Sequence, residues 1–143
     1  MSPYFQEEGF QKAYKWLSQE MNRLINNSLN IQYPIWAWQK YDGKTKKPRT
    51  QSYKDYKHSV LLELDIDESQ IVLTDFEKWN DVLNNIKIMS DEEWEKVGYI
   101  KKFSQKEIEK SWSKIFDIEE SHSVQATFWE IKPEDVVKIY DIN

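Results

Sequence analysis

Glu130 closes the run Val124-Gln125-Ala126-Thr127-Phe128-Trp129-Glu130-Ile131, just before Lys132-Pro133 turns the chain away. The run is aromatic and β-branched, as a strand requires. Alternation puts Val124, Ala126, Phe128 and Glu130 on one face, and Gln125, Thr127, Trp129 and Ile131 on the other. A carboxylate that follows three apolar residues on its own face either emerges into water at the sheet's end or is held in a cleft. In a cleft, desolvation disfavours its charged form. Both readings stand at this point, and the solvated one is the commoner.

A second group of residues could bind rather than react. Between positions 40 and 57 lie Lys40, Lys44, Lys46, Lys47, Arg49, Lys54 and Lys57, opposed only by Asp42 and Asp55, for a local charge of +5. The rest of the chain carries −10, so the asymmetry is pronounced. Tyr41, Tyr53 and Tyr56 are interleaved with these cations. Cations and rings together offer partners for phosphates and stacking surfaces for bases. An acidic protein or a nucleic acid could dock there, with Lys44, Lys46, Lys47, Arg49 and Tyr53 as contacts. A solvated loop is the plainer explanation.

Other chemistries fall away on residue type. With no cysteine, thiolate nucleophiles, disulfides and Cys-type metal sites are excluded. His58 and His122 are far apart and form no ligand pair, so no metal site is expected. Ser121 and Ser123 flank His122, but neighbours on a strand point to opposite faces and cannot act as nucleophile and base. Three glycines in total leave no room for the glycine-rich phosphate loops.

The elements that would position Glu130 are legible in the periodicity. Phe10, Ala13, Tyr14, Leu17, Met21, Leu24 and Ile25 recur at helical spacing, which predicts an amphipathic helix ending near Asn26-Asn27. A strand is expected from Ile35 to Tyr41, with Pro34 before it and an Asp42-Gly43 turn after it. The stretch from Lys44 to Lys57 reads as a long loop. Val60, Leu62, Leu64 and Ile66 alternate with Leu61, Glu63 and Asp65 in a second strand, and Ile71-Val72-Leu73 makes a third. Capping-box patterns begin at Thr74, Ser90 and Ser104. They open helices whose inward residues are Phe76, Trp79, Leu83 and Ile86 in the first, and Ile108, Trp112, Ile115 and Phe116 in the last. The Glu130 strand, a turn at 132–135 and a strand from Val136 to Ile142 complete the chain. Strands grouped in this way predict an α+β fold, with the N-terminal helix and further helices on a mostly antiparallel sheet. The 143 residues are expected to form a single domain, 1–143. No apolar run approaches the ~18 residues that span a bilayer, and the first residues lack signal-peptide character. A cytoplasmic protein is the expectation.

Three blocks carry a resemblance: Y-P-I-W-A-W at 33–38 with K-K-P-R at 46–49, V-L-T-D-F-E-K-W-N-D-V-L-N at 72–84, and V-Q-A-T-F-W-E-I at 124–131. Together they resemble a bacterial family of small cytosolic proteins known only as a domain of unknown function. The layout is also similar to the ADP-ribosyltransferase fold, whose catalytic Glu lies near the end of a late strand, shortly before the final one. That resemblance implies NAD as a cofactor or substrate. Glu130 would be the catalytic carboxylate, holding a ribose hydroxyl and stabilising an oxocarbenium-like transition state. Trp36 or Trp38 would stack on a ring of NAD, and Arg49 would hold phosphate. Family members usually begin with a further strand bearing a T-x-Q-like motif, and usually have His where this chain has Asn80; this sequence begins after that strand. Phe128 also stands where many transferases have a Glu or Gln. A catalytically degenerate form is therefore within what the resemblance implies. The other expectation is a non-enzymatic interaction protein, of the phage or mobile-element inhibitor type, that binds its partner through residues 40–57.

Overall fold

The computed structural model describes residues 8–41, 43, 58–98 and 102–142. Helix α1 (Glu8–Leu24) is followed by strands β1 (Ile35–Lys40), β2 (Ser59–Leu64) and β3 (Val72–Asp75). Helices α2 (Phe76–Leu83), α3 (Asp91–Val97) and α4 (Gln105–Ser111) come next, with a 3₁₀ turn over Trp112–Phe116. Strand β4 (Val124–Phe128), a 3₁₀ turn over Pro133–Asp135 and β5 (Val136–Ile142) close the order. The α+β class expected from the grouped strands holds.

The strands form two sheets, one in the order β1-β4-β3 and the other pairing β2 with β5, antiparallel throughout. In the larger sheet β4 is central, with Trp36 and Val72 both opposite Thr127. One face of this sheet meets the helices. Ala13, Leu17, Met21 and Ile25 of the α1 stripe pack with Val72, Trp79, Val82, Ile88, Trp112, Ile115 and Trp129 in one buried cluster. The predicted three- and four-residue steps of α1 are thus its buried stripe, except that Leu24 turns out to be 57% exposed.

Two details differ from the sequence reading, and the structure also assigns the faces of β2, which the alternation left open. The cap of α2 is Asp75, not Thr74: the Asp75 carboxylate accepts from the Lys78 backbone N–H at 2.9 Å, while Thr74 belongs to β3. Thr74 is fully buried, with its hydroxyl directed to the Gln125 carbonyl at 3.4 Å. The strand continues because β4 still offers partners through Asp75↔Val124. Ile86 lies beyond the end of α2 and is exposed, and Val82 takes the inward position. In β2, Leu61 faces inward opposite Tyr140, whereas Val60 and Leu62 face out, because pairing with β5 rather than the pattern of β2 alone sets the face. The serine caps of α3 and α4 form as predicted, with Ser90 accepting from Glu93 N–H and Ser104 from Glu107 N–H, each at 3.2 Å. Gly98 ends α3 at φ +70°, a conformation that suits glycine.

Candidate functional site: a polar cleft at the end of the central strand

Pairing stops at Phe128, which lies opposite Ile35, the first residue of β1. The preceding Pro34 has no N–H to give the ladder, so β4 has no further partner there. Trp129 bends inward and is buried at 6% exposure, in the helix-facing cluster. Glu130 is released from the sheet two residues past the last pair. Alternation within β4 holds as expected, but the strand ends at Phe128, so Trp129, Glu130 and Ile131 all lie outside it.

Glu130 is half-buried. It lines a small cleft of about 140 Å³ together with Asn26, Asn27, Ser28, Leu29, Gln70, Trp129 and Lys132. The segment after α1 supplies one wall. Asn27 fixes that segment by accepting from Ile31 N–H and donating to the Ile31 carbonyl, both at 2.9 Å. Lys132 is fixed from the other side, its backbone N–H donating to Asp135 Oδ2 at 3.0 Å. Lys132 Nζ stands 4.0 Å from Glu130 Oε1, with both side chains a little over a third exposed. An ion pair of that length and exposure is worth little by itself, so the carboxylate keeps acceptor capacity for a ligand. The Trp129 indole N–H is buried and donates to no acceptor among the described residues. The arrangement offers amides, a hydroxyl, an acid, a base and an aromatic wall, a set suited to hydroxyl-bearing ligands.

The other residues singled out by the sequence lie elsewhere. Trp36 is packed between α1 and α2, with ring centroids 6.2 Å from Tyr14 and 5.2 Å from Trp79. Trp38, 41% exposed, makes an edge-on group with Tyr41 at 4.9 Å and Phe76 at 5.0 Å. Neither tryptophan lines the Glu130 cleft. The register explains it: Trp36 and Trp38 lie opposite Thr127 and Gln125, while Glu130 lies beyond the paired stretch. Lys44, Lys46, Lys47, Arg49 and Tyr53 fall outside the described residues. His122 is exposed, and its carbonyl accepts from Gly43 N–H at 2.7 Å. Asn80 is exposed on α2, and Phe128, 2% exposed, is core where a second acid would be costly.

Sequence reasoning missed a buried polar contact between distant segments. Ser121 Oγ donates to Asp75 Oδ2 across 46 residues of chain, both side chains being buried. Lys40 Nζ donates to the Ser121 carbonyl at 2.9 Å. No local pattern links positions 75 and 121. Nearby on α2, burial pushes the Asp81 carboxyl above its ordinary range, and the charges of Asp75 and Glu77 push it further. Among the described residues, no group of three or more histidines and acids is placed to hold a metal ion. No described helix is long and apolar enough to cross a membrane.

Two antiparallel sheets, helices on one face and a polar cleft at the end of the central strand define an α+β domain built around β4. The chain belongs to the family described as Domain of unknown function (DUF3841), whose model matches residues 4–137. No curated protein and no solved structure matches the chain.

Proposed function

We propose that this protein is a nucleotide-binding domain of ADP-ribosyltransferase type, with Glu130 as its electrostatic residue. One observation carries the reading: Glu130 follows the central strand shortly before the final one and lines a polar cleft. At about 140 Å³ the cleft is smaller than the roughly 300–1,000 Å³ of sites that enclose a whole drug-sized ligand. It has room for one sugar ring, and the rest of NAD would lie outside it. Glu130 would accept from a ribose hydroxyl and oppose the positive charge that develops as nicotinamide leaves. The ring-stacking part assigned to Trp36 has no support in its packed position. Trp129 supplies the aromatic wall instead.

NAD titration followed by tryptophan fluorescence tests the binding step, because Trp129 lines the cleft. A saturable change is expected, and an unchanged signal at millimolar NAD would sink the reading. For a member that retains turnover, Glu130→Gln should lower kcat by about 10²–10³. Its melting temperature should stay close to that of the wild type, since the Lys132 contact is long and exposed.

A second reading rests on a different observation. Trp38 and Tyr41 are exposed and, with the half-buried Phe76, form an aromatic group whose Tyr41 directly precedes residues 42–57 in the chain. Rings beside a basic segment favour an interaction module that grips an anionic partner.

A further inference from the structure

A sheet with one face on the core and the other in water alternates apolar with polar residues. The β2–β5 sheet does not. Its register sets Ser59 opposite Ile142 and Leu61 opposite Tyr140, and Ile142 is buried, so this face is the inner one. The other face carries Val60 and Leu62 from β2 with Val137 and Ile139 from β5, and Asp141 at its end opposite Val60, where its carboxylate can stay at the solvated rim of a contact centred on Leu62 and Ile139. The four aliphatic residues are 53, 36, 61 and 60% exposed. Aliphatic residues thus line both faces of a two-stranded sheet, an arrangement that is marginal without something packed on it.

We propose that this outer face is an isologous dimer interface, covered by the same face of a second copy of the chain. The four side chains expose roughly 300–400 Å² per copy, the scale of the largest apolar patch on an ordinary monomer. That area can form the apolar centre of an interface of about 800 Å² per partner. The antiparallel pair is also its own complement. A two-fold axis running along the strands between two such sheets lays β2 of one copy over β5 of the other. Leu62 then meets Ile139 in both directions, at the ~10 Å spacing of packed sheets. Charge argues against other occupants. A nucleic acid or an anionic lipid surface needs cations, and the outward positions carry no Lys or Arg. Lys138 points to the opposite face, paired in register with Glu63, and Asp141 lies opposite Val60. The proposal is independent of the cleft, which uses none of these residues.

Sedimentation equilibrium of the full chain from about 1 to about 100 µM decides it. A monomer–dimer equilibrium within that range is expected. Ile139→Glu should abolish association. The double variant Val137→Thr, Ile139→Thr keeps β-branched side chains and should weaken association by roughly tenfold or more. Should Ile139→Glu fail to fold, as judged by circular dichroism, the threonine pair decides alone. A wild type that stays monomeric throughout overturns the proposal, as does a dimer that the threonine pair leaves equally tight.

Discussion

Ser121 and Asp75 join three segments through one carboxylate. Oδ1 of Asp75 caps α2 by accepting from Lys78 N–H, and Oδ2 accepts from Ser121 Oγ at the approach to β4. The Ser121 carbonyl in turn holds the Lys40 ammonium at the end of β1. A buried carboxylate needs these donors, because an unsatisfied charged group in the interior is expensive. Ser121→Ala removes one donor and leaves the acid in place. It should cost about 1–3 kcal/mol in urea unfolding, and a loss under about 0.5 kcal/mol would show that water replaces the hydroxyl without penalty. Neither residue could be picked out from the chain. Ser121 looked like one serine beside a histidine, and its partner is 46 residues away. Glu130, by contrast, could be singled out from the chain, because the strand-like run before it and the following Lys132-Pro133 are local, although the strand itself ends at Phe128.

At the level of elements, α2 gathers three carboxylates on or beside its first turns: Asp75 as cap, then Glu77 and Asp81. An acid at the cap suits the positive end of a helix, whereas Asp81 is partly buried and faces the other two charges. Its pKa is raised for that reason. A carboxyl whose folded pKa lies above its unfolded value binds protons more tightly when folded, so it costs stability at neutral pH. That penalty is relieved as pH falls through the raised pKa. Asp81→Asn should therefore raise the melting temperature at pH 7. The gain should shrink as pH is lowered through that value, and disappear once the acid is protonated in both states. An equal gain at every pH would mean that charge is not the cause. Element boundaries were mostly readable, since helical spacing and serine caps are local signals. The cap of α2 was read one residue early because Thr74 and Asp75 both fit the pattern, and only pairing with β4 separates them.

Across the whole molecule, charge is divided between a +5 segment at 40–57 and a −10 remainder. Tyr41, within that segment, groups with the exposed Trp38 and the half-buried Phe76. If the segment grips a polyanion, binding of a short single-stranded oligonucleotide should weaken at least tenfold between about 50 and 200 mM salt. Replacing Lys44, Lys46, Lys47 and Arg49 by Ser should abolish it, and Trp38→Ala should cost about 1–3 kcal/mol. Undiminished binding by the serine variant would dismiss the segment as an interface. The sequence by itself determined the α+β class, the α1 stripe, most strands and the serine caps, because each follows from periodicity or from neighbours along the chain. Tertiary structure alone decided three things. It formed a cleft beside Glu130 from the segment after α1, packed Trp36 against the core away from that cleft, and turned Val60 and Leu62 outward. Each depends on which strand lies beside which, and residues far apart in the chain set that pairing.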